Sequence, residues 1–217
     1  MKVILFGATG MVGQSVLGAC LRDDAITEVL SIGRSSCGRT HPKLRELLRK
    51  DLFSVDVPDA ELAGYDACFF CLGVSSVGMN EADYTRLTYD LTLAWARPLA
   101  RVNPGMAFFY VSGVGTGGKA MWARVKGRTE AALLGLFRDG YMVRLGMLRP
   151  VHGELPRMRG ARVLYTLLGP LAPLLQALAP GMVITSDELG RAMIRAARER
   201  PPTHVLEMRA LQALARG

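Results

Sequence analysis

The sequence predicts an α/β fold: a doubly wound parallel sheet in a single domain spanning 1–217. Two observations carry that expectation. Short apolar runs alternate with stretches of helical period, each unit about the size of a strand and a crossover helix. The apolar runs are also nearly continuous, as expected of strands covered on both faces. A chain of 217 residues suits one domain with a substantial core.

The elements follow in order. "KVILF" is strand one, and "GATGMVG" leads from it into a helix with Val12, Val16, Ala19 and Cys20 on one face. "EVLSIG" is strand two. Leu44, Leu47 and Leu48 have helical spacing and predict a short helix, after which "KDLF" closes a brief third strand. "YDACFFCLG" is strand four. Asn80 is placed to cap a long helix carrying Leu87, Leu91, Ala94 and Trp95. Pro98 should bend or end it. "GMAFFYVSG" is strand five, "MWARVKGRTEAALLGLF" the next helix, and "YMVRLGML" strand six. Thr185 and Glu188 predict a capping box for a helix bearing Leu189, Ala192, Met193, Ala196 and Ala197, and "THVLEM" is expected to be a last strand. The expected strand order is 3-2-1-4-5-6.

Residues 151–185 break the alternation. They are expected to form a lid or interface region, a small helical C-terminal region over the cleft. Within it Val163 to Ile184 is free of charge. That is long enough for a membrane span, but Pro170, Pro173, Pro180, Gly169 and Gly181 interrupt it. A packed helical hairpin is the favoured reading. Membrane-surface contact through 163–184 is a weaker alternative, and a homo-oligomer interface is compatible with the same segment.

Half the residues are hydrophobic and 21% are charged, an ordinary globular balance. The N-terminal apolar run is too short for a secretion signal, and four cysteines do not make a disulfide scaffold, so a cytoplasmic protein is expected. Cys68 and Cys71 form a CxxC, but in a strand positions i and i+3 face opposite sides, so core cysteines are favoured over a redox dithiol. Three scattered histidines predict no metal site. Net charge is +8, concentrated in the second half: residues 1–110 hold 11 basic and 12 acidic residues, residues 111–217 hold 16 and 7. No basic run interleaves with aromatics, so no nucleic-acid partner is expected. A solvated basic face or an anionic ligand accounts for the charge.

Gly7, Gly10 and Gly13 form GxxGxxG between a strand and a helix. Glycine permits the tight turn and the close approach of a pyrophosphate, and the helix N-terminus offers free N–H groups. This predicts a Rossmann-type dinucleotide site; the alternative is a glycine turn with no ligand. The end of strand two selects the cofactor. An NAD site typically carries an acid there for the ribose 2′-hydroxyl. Here "SIGRSS" carries Arg34, whose guanidinium can grip a 2′-phosphate, with Arg39 as a second candidate clamp. NADP(H) is therefore expected over NAD(H). The alternative for Arg34 is a solvated loop cation.

With "GATGMVG", Arg34, "DL" at 51–52, "FFCLG", "YVSG", "VKG" and "LRPVHG", the chain resembles the short-chain dehydrogenase/reductases. More narrowly it resembles their atypical, NAD-dependent epimerase/dehydratase-like branch, which includes the Tat-interacting oxidoreductase-like proteins. The likeness covers about residues 1–200. It implies that Gly7, Thr9, Gly10, Met11, Val12 and Gly13 wrap the pyrophosphate. It implies Arg34 at the 2′-phosphate, Asp51 and Leu52 at the adenine, and Cys71, Leu72 and Gly73 on the nicotinamide side. Ser112 would polarise a substrate carbonyl, Lys126 would hold the nicotinamide ribose, and Pro150 and Val151 would lie near the carboxamide.

The family's catalytic tyrosine, four residues before the lysine, is replaced by Trp122. An indole N–H donates but does not titrate usefully. Either Trp122 packs against cofactor or substrate while another group moves the proton, or the protein binds NADP(H) without turnover. His152 is the candidate surrogate; a lone histidine is more often structural. Two functions are thus expected: an oxidoreductase or epimerase acting on a small carbonyl or hydroxyl compound, or a non-catalytic NADP(H)-responsive binding protein.

Overall fold

The computed structural model describes residues 1–154 and 181–217. Seven parallel strands form one sheet: β1 (Lys2–Phe6), β2 (Glu28–Gly33), β3 (Leu44–Leu48), β4 (Ala67–Phe70), β5 (Ala107–Val111), β6 (Gly140–Arg144) and β9 (Val205–Glu207). Their order is β3-β2-β1-β4-β5-β6-β9, the expected order with the last strand added beyond β6. Two short strands, β7 (Met147–Arg149) and β8 (Val183–Thr185), pair in parallel as a separate sheet. The helices are α1 (Met11–Arg22), α2 (Asp59–Leu62), α3 (Glu81–Thr85), α4 (Leu91–Val102), α5 (Met121–Leu136), α6 (Ser186–Glu199) and α7 (Met208–Arg216).

Strand alternation sorts the core into two layers. Val3, Leu5, Phe69, Phe109 and Val143 point to the face covered by α1, α6 and α7. Ile4, Phe6, Cys68, Phe70, Phe108 and Met142 point to the face covered by α4 and α5. Cys68 and Cys71 accordingly lie on opposite faces, and all four cysteines are free. α1 and α6 pack very closely: a Cβ on Gly190 would lie 2.2 Å from the Ala19 Cβ. The predicted caps form. Asn80 Oδ1 accepts from Asp83 N at 2.9 Å, and Thr185 and Glu188 exchange both bonds of a capping box.

Three local expectations need correction, and at Pro98 one of the two expected outcomes, an end to the helix, does not occur. Residues 44–48 are a strand, not a helix. Pairing with β2 decides, with Leu30 opposite Arg45 and Ile32 opposite Leu47, and Arg45 and Glu46 give the sheet edge the charge that edge strands use against mispairing. "KDLF" is consequently the turn beyond β3 rather than a strand. Pro98 lies inside α4 without ending it: the helix runs on to Val102, and Trp95 and Leu99, both fully buried, anchor it through the missing hydrogen bond. "YMVRLGML" splits into β6 and β7, the second leaving the main sheet to pair with β8. The long helix between Asn80 and Val102 also contains a π-helical turn, Arg86–Asp90, that periodicity does not announce.

Residues 163–180 of the charge-free segment lie outside the described residues. Val183 and Ile184 at its end belong to β8, where a helical hairpin is expected from the sequence. Among the described residues no helix is long and apolar enough to cross a membrane.

Candidate functional site

The C-terminal ends of β1, β4 and β5 open onto one cavity of about 520 Å³. This is the crevice where open α/β sheets hold ligands. Its wall contains Gly7, Thr9, Gly10, Met11, Val12, Arg34, Cys71, Leu72, Gly73, Ser112 and Lys126. Eleven residues singled out from the sequence therefore meet at one place. Val74, Val111, Leu145, Gly146 and Leu148 complete the wall and were not anticipated. A smaller recess adjoins it, lined by Ser31, Gly33, Ser35 and Leu52 and sharing Gly7, Thr9, Arg34 and Leu72.

The glycine loop is built for close backbone contact. Gly7 has φ +79°, and a Cβ there would meet Cys71 O at 2.7 Å. A Cβ at Gly13 would lie 2.0 Å from Gly7 O, so the first turn of α1 presses directly on the loop. Gly10 N–H donates to Gly7 O at 2.9 Å, and Gln14 Nε2 donates to Thr9 O at 3.0 Å. The first turn of α1 carries neither a side-chain cap nor an acidic residue. Its N–H groups and the positive end of its dipole are thus left for an anion at the cavity, which is what a dinucleotide pyrophosphate requires.

Arg34 borders both the cavity and the recess and is exposed. Among the described residues it has no ion-pair partner. Arg39 lies elsewhere: its Nη1 sits 3.4 Å from where a Gly18 Cβ would be, against α1. Leu52 is fixed in the recess because buried Trp95 donates from Nε1 to its carbonyl at 2.7 Å. Asp51 is exposed and turns back to accept from Phe53 N at 2.8 Å.

At the opposite end, Lys126 projects from α5 toward β5, with Nζ 3.5 Å from Val111 O and 5.9 Å from the Tyr110 ring centre. Burial pushes its pKa down to about 8, and the nearby Glu130 carboxylate partly offsets the shift. Ser112 follows β5 and donates to Glu130 Oε1 at 2.6 Å. Glu130 is in turn paired with Arg144, Nη2 to Oε2 at 2.7 Å. The sequence reading missed Glu130 and Arg144. The available signal was Glu130 one helical turn beyond Lys126. Cys71 lines the cavity as a thiol, since burial raises its pKa well above the ordinary value.

Other sequence candidates are not part of the cavity wall. Trp122 is half-buried, and its ring edge lies over Gly115, 3.5 Å from where that residue's Cβ would be. His152 is exposed and bonded through Nε2 to Asp187 Oδ1 at 2.7 Å, and Asp187 also receives Arg22. Val151 N–H donates to Ser186 Oγ at 3.1 Å, so Pro150, Val151 and His152 belong to a strap tied to the start of α6. Among the described residues no cluster of metal-ligating side chains occurs.

Comparison with known proteins places this geometry in a fold. No family model matches the chain. The solved UDP-N-acetylglucosamine 4-epimerase of Methanobrevibacter ruminantium superposes with a TM-score of 0.71 at 16% identity, over 94% of this chain and 74% of that one. The UDP-glucuronic acid 4-epimerase of Bacillus cereus, solved with NAD, superposes with a TM-score of 0.70 at 14% identity, over 96% and 76%. The chain therefore shares with these enzymes a Rossmann-like parallel sheet with its crevice at the strand ends. In sequence, the chain is 29% identical over 144 residues to the leucinostatins biosynthesis cluster protein T of Purpureocillium lilacinum. That match covers 64% of this chain and 53% of the relative, so the chain spans about half the relative's length.

Proposed function

We propose that this protein binds NADP(H) in the cavity and acts as an oxidoreductase or epimerase on a small carbonyl or hydroxyl compound. The carrying observation is the meeting, in one cavity, of a bare helix N-terminus behind a glycine cradle, Arg34 at the β2 end, and the Ser112–Lys126 pair at the far end. The residues fit the cofactor. The Gly7–Gly13 contact leaves backbone where a side chain would block a pyrophosphate. Arg34 supplies the charge for a 2′-phosphate, and Lys126 a cation for ribose hydroxyls. When bound, the dinucleotide would supply hydride transfer; the chain's own residues would hold and orient it. Structural neighbours carry NAD, so the preference for NADP(H) rests on Arg34 and the missing acid after β2.

A second reading is favoured by Trp122. With the tyrosine position holding an indole that is not part of the cavity wall, the protein could serve as a non-catalytic NADP(H)-responsive binder. Hydride exchange between bound NADPH and a panel of carbonyl compounds separates the two.

Arg34→Ala tests the cofactor assignment. Charge-assisted bonds contribute about 1.5–3 kcal/mol each, so NADPH binding should weaken about tenfold or more while NADH binding stays nearly unchanged. Equal losses for both cofactors in parallel titrations would remove Arg34 from the 2′-phosphate.

A further inference from the structure

Behind Ser112 of the cavity wall lies an ion pair, buried Glu130 with half-buried Arg144, to which the proposed cofactor role assigns nothing. Glu130 is 4% exposed. Arg144, at the end of β6, reaches both its oxygens, Nη2 to Oε2 at 2.7 Å and Nε to Oε1 at 3.3 Å. Beyond Arg144 stands Glu207 of β9, 3.7 Å from Nη1. Ser112 Oγ has two partners among the described residues: Glu130 Oε1 at 2.6 Å and the Val143 carbonyl at 3.4 Å. Both are acceptors. A serine hydroxyl has one proton and two lone pairs, so the proton goes to the nearer and stronger acceptor, the carboxylate. Lone pairs are then what Ser112 offers the cavity it lines.

We propose that Glu130 is a positioning residue that holds Ser112 as a hydrogen-bond acceptor toward the cavity, so that the site selects a substrate presenting a hydroxyl rather than a carbonyl. This rests on the cavity being the NADP(H) and substrate site. A carbonyl oxygen needs the Ser112 proton, and taking it strips a buried carboxylate of a charge-assisted bond. An alcohol donates to Ser112 and leaves the Ser112–Glu130–Arg144 chain intact. The preference for alcohol over ketone is therefore expected to be about tenfold or more. Arg144 fixes Glu130 through the ion pair, and the Lys126 ammonium stands near enough to Glu130 to interact with its charge.

Two readouts on the full chain test this without turnover. In proton NMR at low temperature, the Ser112 hydroxyl should give a downfield, slowly exchanging signal. Ser112→Ala should delete it, and Glu130→Gln should move it upfield. In ligand-observed NMR, 1-phenylethanol should bind about tenfold more tightly than acetophenone. Glu130→Gln and Ser112→Ala should each bring that ratio close to one. Glu130→Gln removes the near carboxylate charge from Arg144 and can fail to fold; Ser112→Ala keeps the Glu130–Arg144 pair and still decides the matter. Equal binding of the two probes, binding of neither, or a preference that survives Ser112→Ala overturns the proposal. NADPH titration of the same samples keeps the two ideas apart. Absence of NADPH binding by the wild type defeats the cofactor reading, whereas intact NADPH binding without the alcohol preference defeats only this inference.

Discussion

Gly13→Ala is expected to destabilise the protein and weaken NADPH binding at least tenfold. In an ordinary helix the change would help, because alanine exceeds glycine in helix propensity by about 1 kcal/mol. Here the new Cβ would stand 2.0 Å from Gly7 O and 2.5 Å from Gly7 C. Those atoms are backbone, so no rotamer relieves the clash; loop and helix must separate by about an ångström. Overpacking of this kind costs about 1–3 kcal/mol, which outweighs the propensity gain. The same separation spoils the aim of the N–H groups at the start of α1, and binding falls with it. Thermal melting and a fluorescence titration measure the two effects. A variant as stable as wild type with unchanged NADPH affinity would mean that loop and helix do not approach as described.

Lys126→Met is expected to stabilise the cofactor-free protein at neutral pH while weakening its hold on NADPH. Burial lowers the Lys126 pKa to about 8 from an ordinary 10.5. The folded state therefore releases this proton more easily than the unfolded chain does. Between pH 8 and 10.5 the unfolded state binds more protons, so stability rises with pH across that window. Below pH 8 both states hold the proton and the full cost of the buried ammonium is present, about 3 kcal/mol as an upper bound. Methionine removes the charge and keeps most of the volume. The melting temperature at pH 7 should rise by up to about 10 °C, and the gain should shrink as pH approaches 10. A melting temperature that falls at pH 7 would show that the ammonium already has a compensating partner.

The same local rules explain what was legible in the sequence. Runs such as "KVILF" and "AFFYV" read clearly as strands because both faces are buried and nothing competes. Asn80, Thr185 and Glu188 act within three residues of chain, so their caps are visible as letters. β3 is different. Leu44, Leu47 and Leu48 have helical spacing, and only pairing with β2 makes them a strand. The glycine-loop end of the cavity was likewise local: the glycines and Arg34 each follow a strand directly. The far end was not. Whether Trp122 faces the cavity depends on how α5 is rotated against β5, and the Ser112–Glu130–Arg144 chain joins three elements. Sequence spacing could place Glu130 one turn beyond Lys126, but not beneath Ser112.

The most direct test of the account is titration of the purified wild-type chain with NADPH and, in parallel, NADH, followed by cofactor fluorescence. Saturable one-to-one binding, with NADPH tighter than NADH by about tenfold or more, is the predicted result. No saturable binding of either nucleotide would contradict the assignment of the cavity. NADH binding as tightly as NADPH would contradict the role given to Arg34.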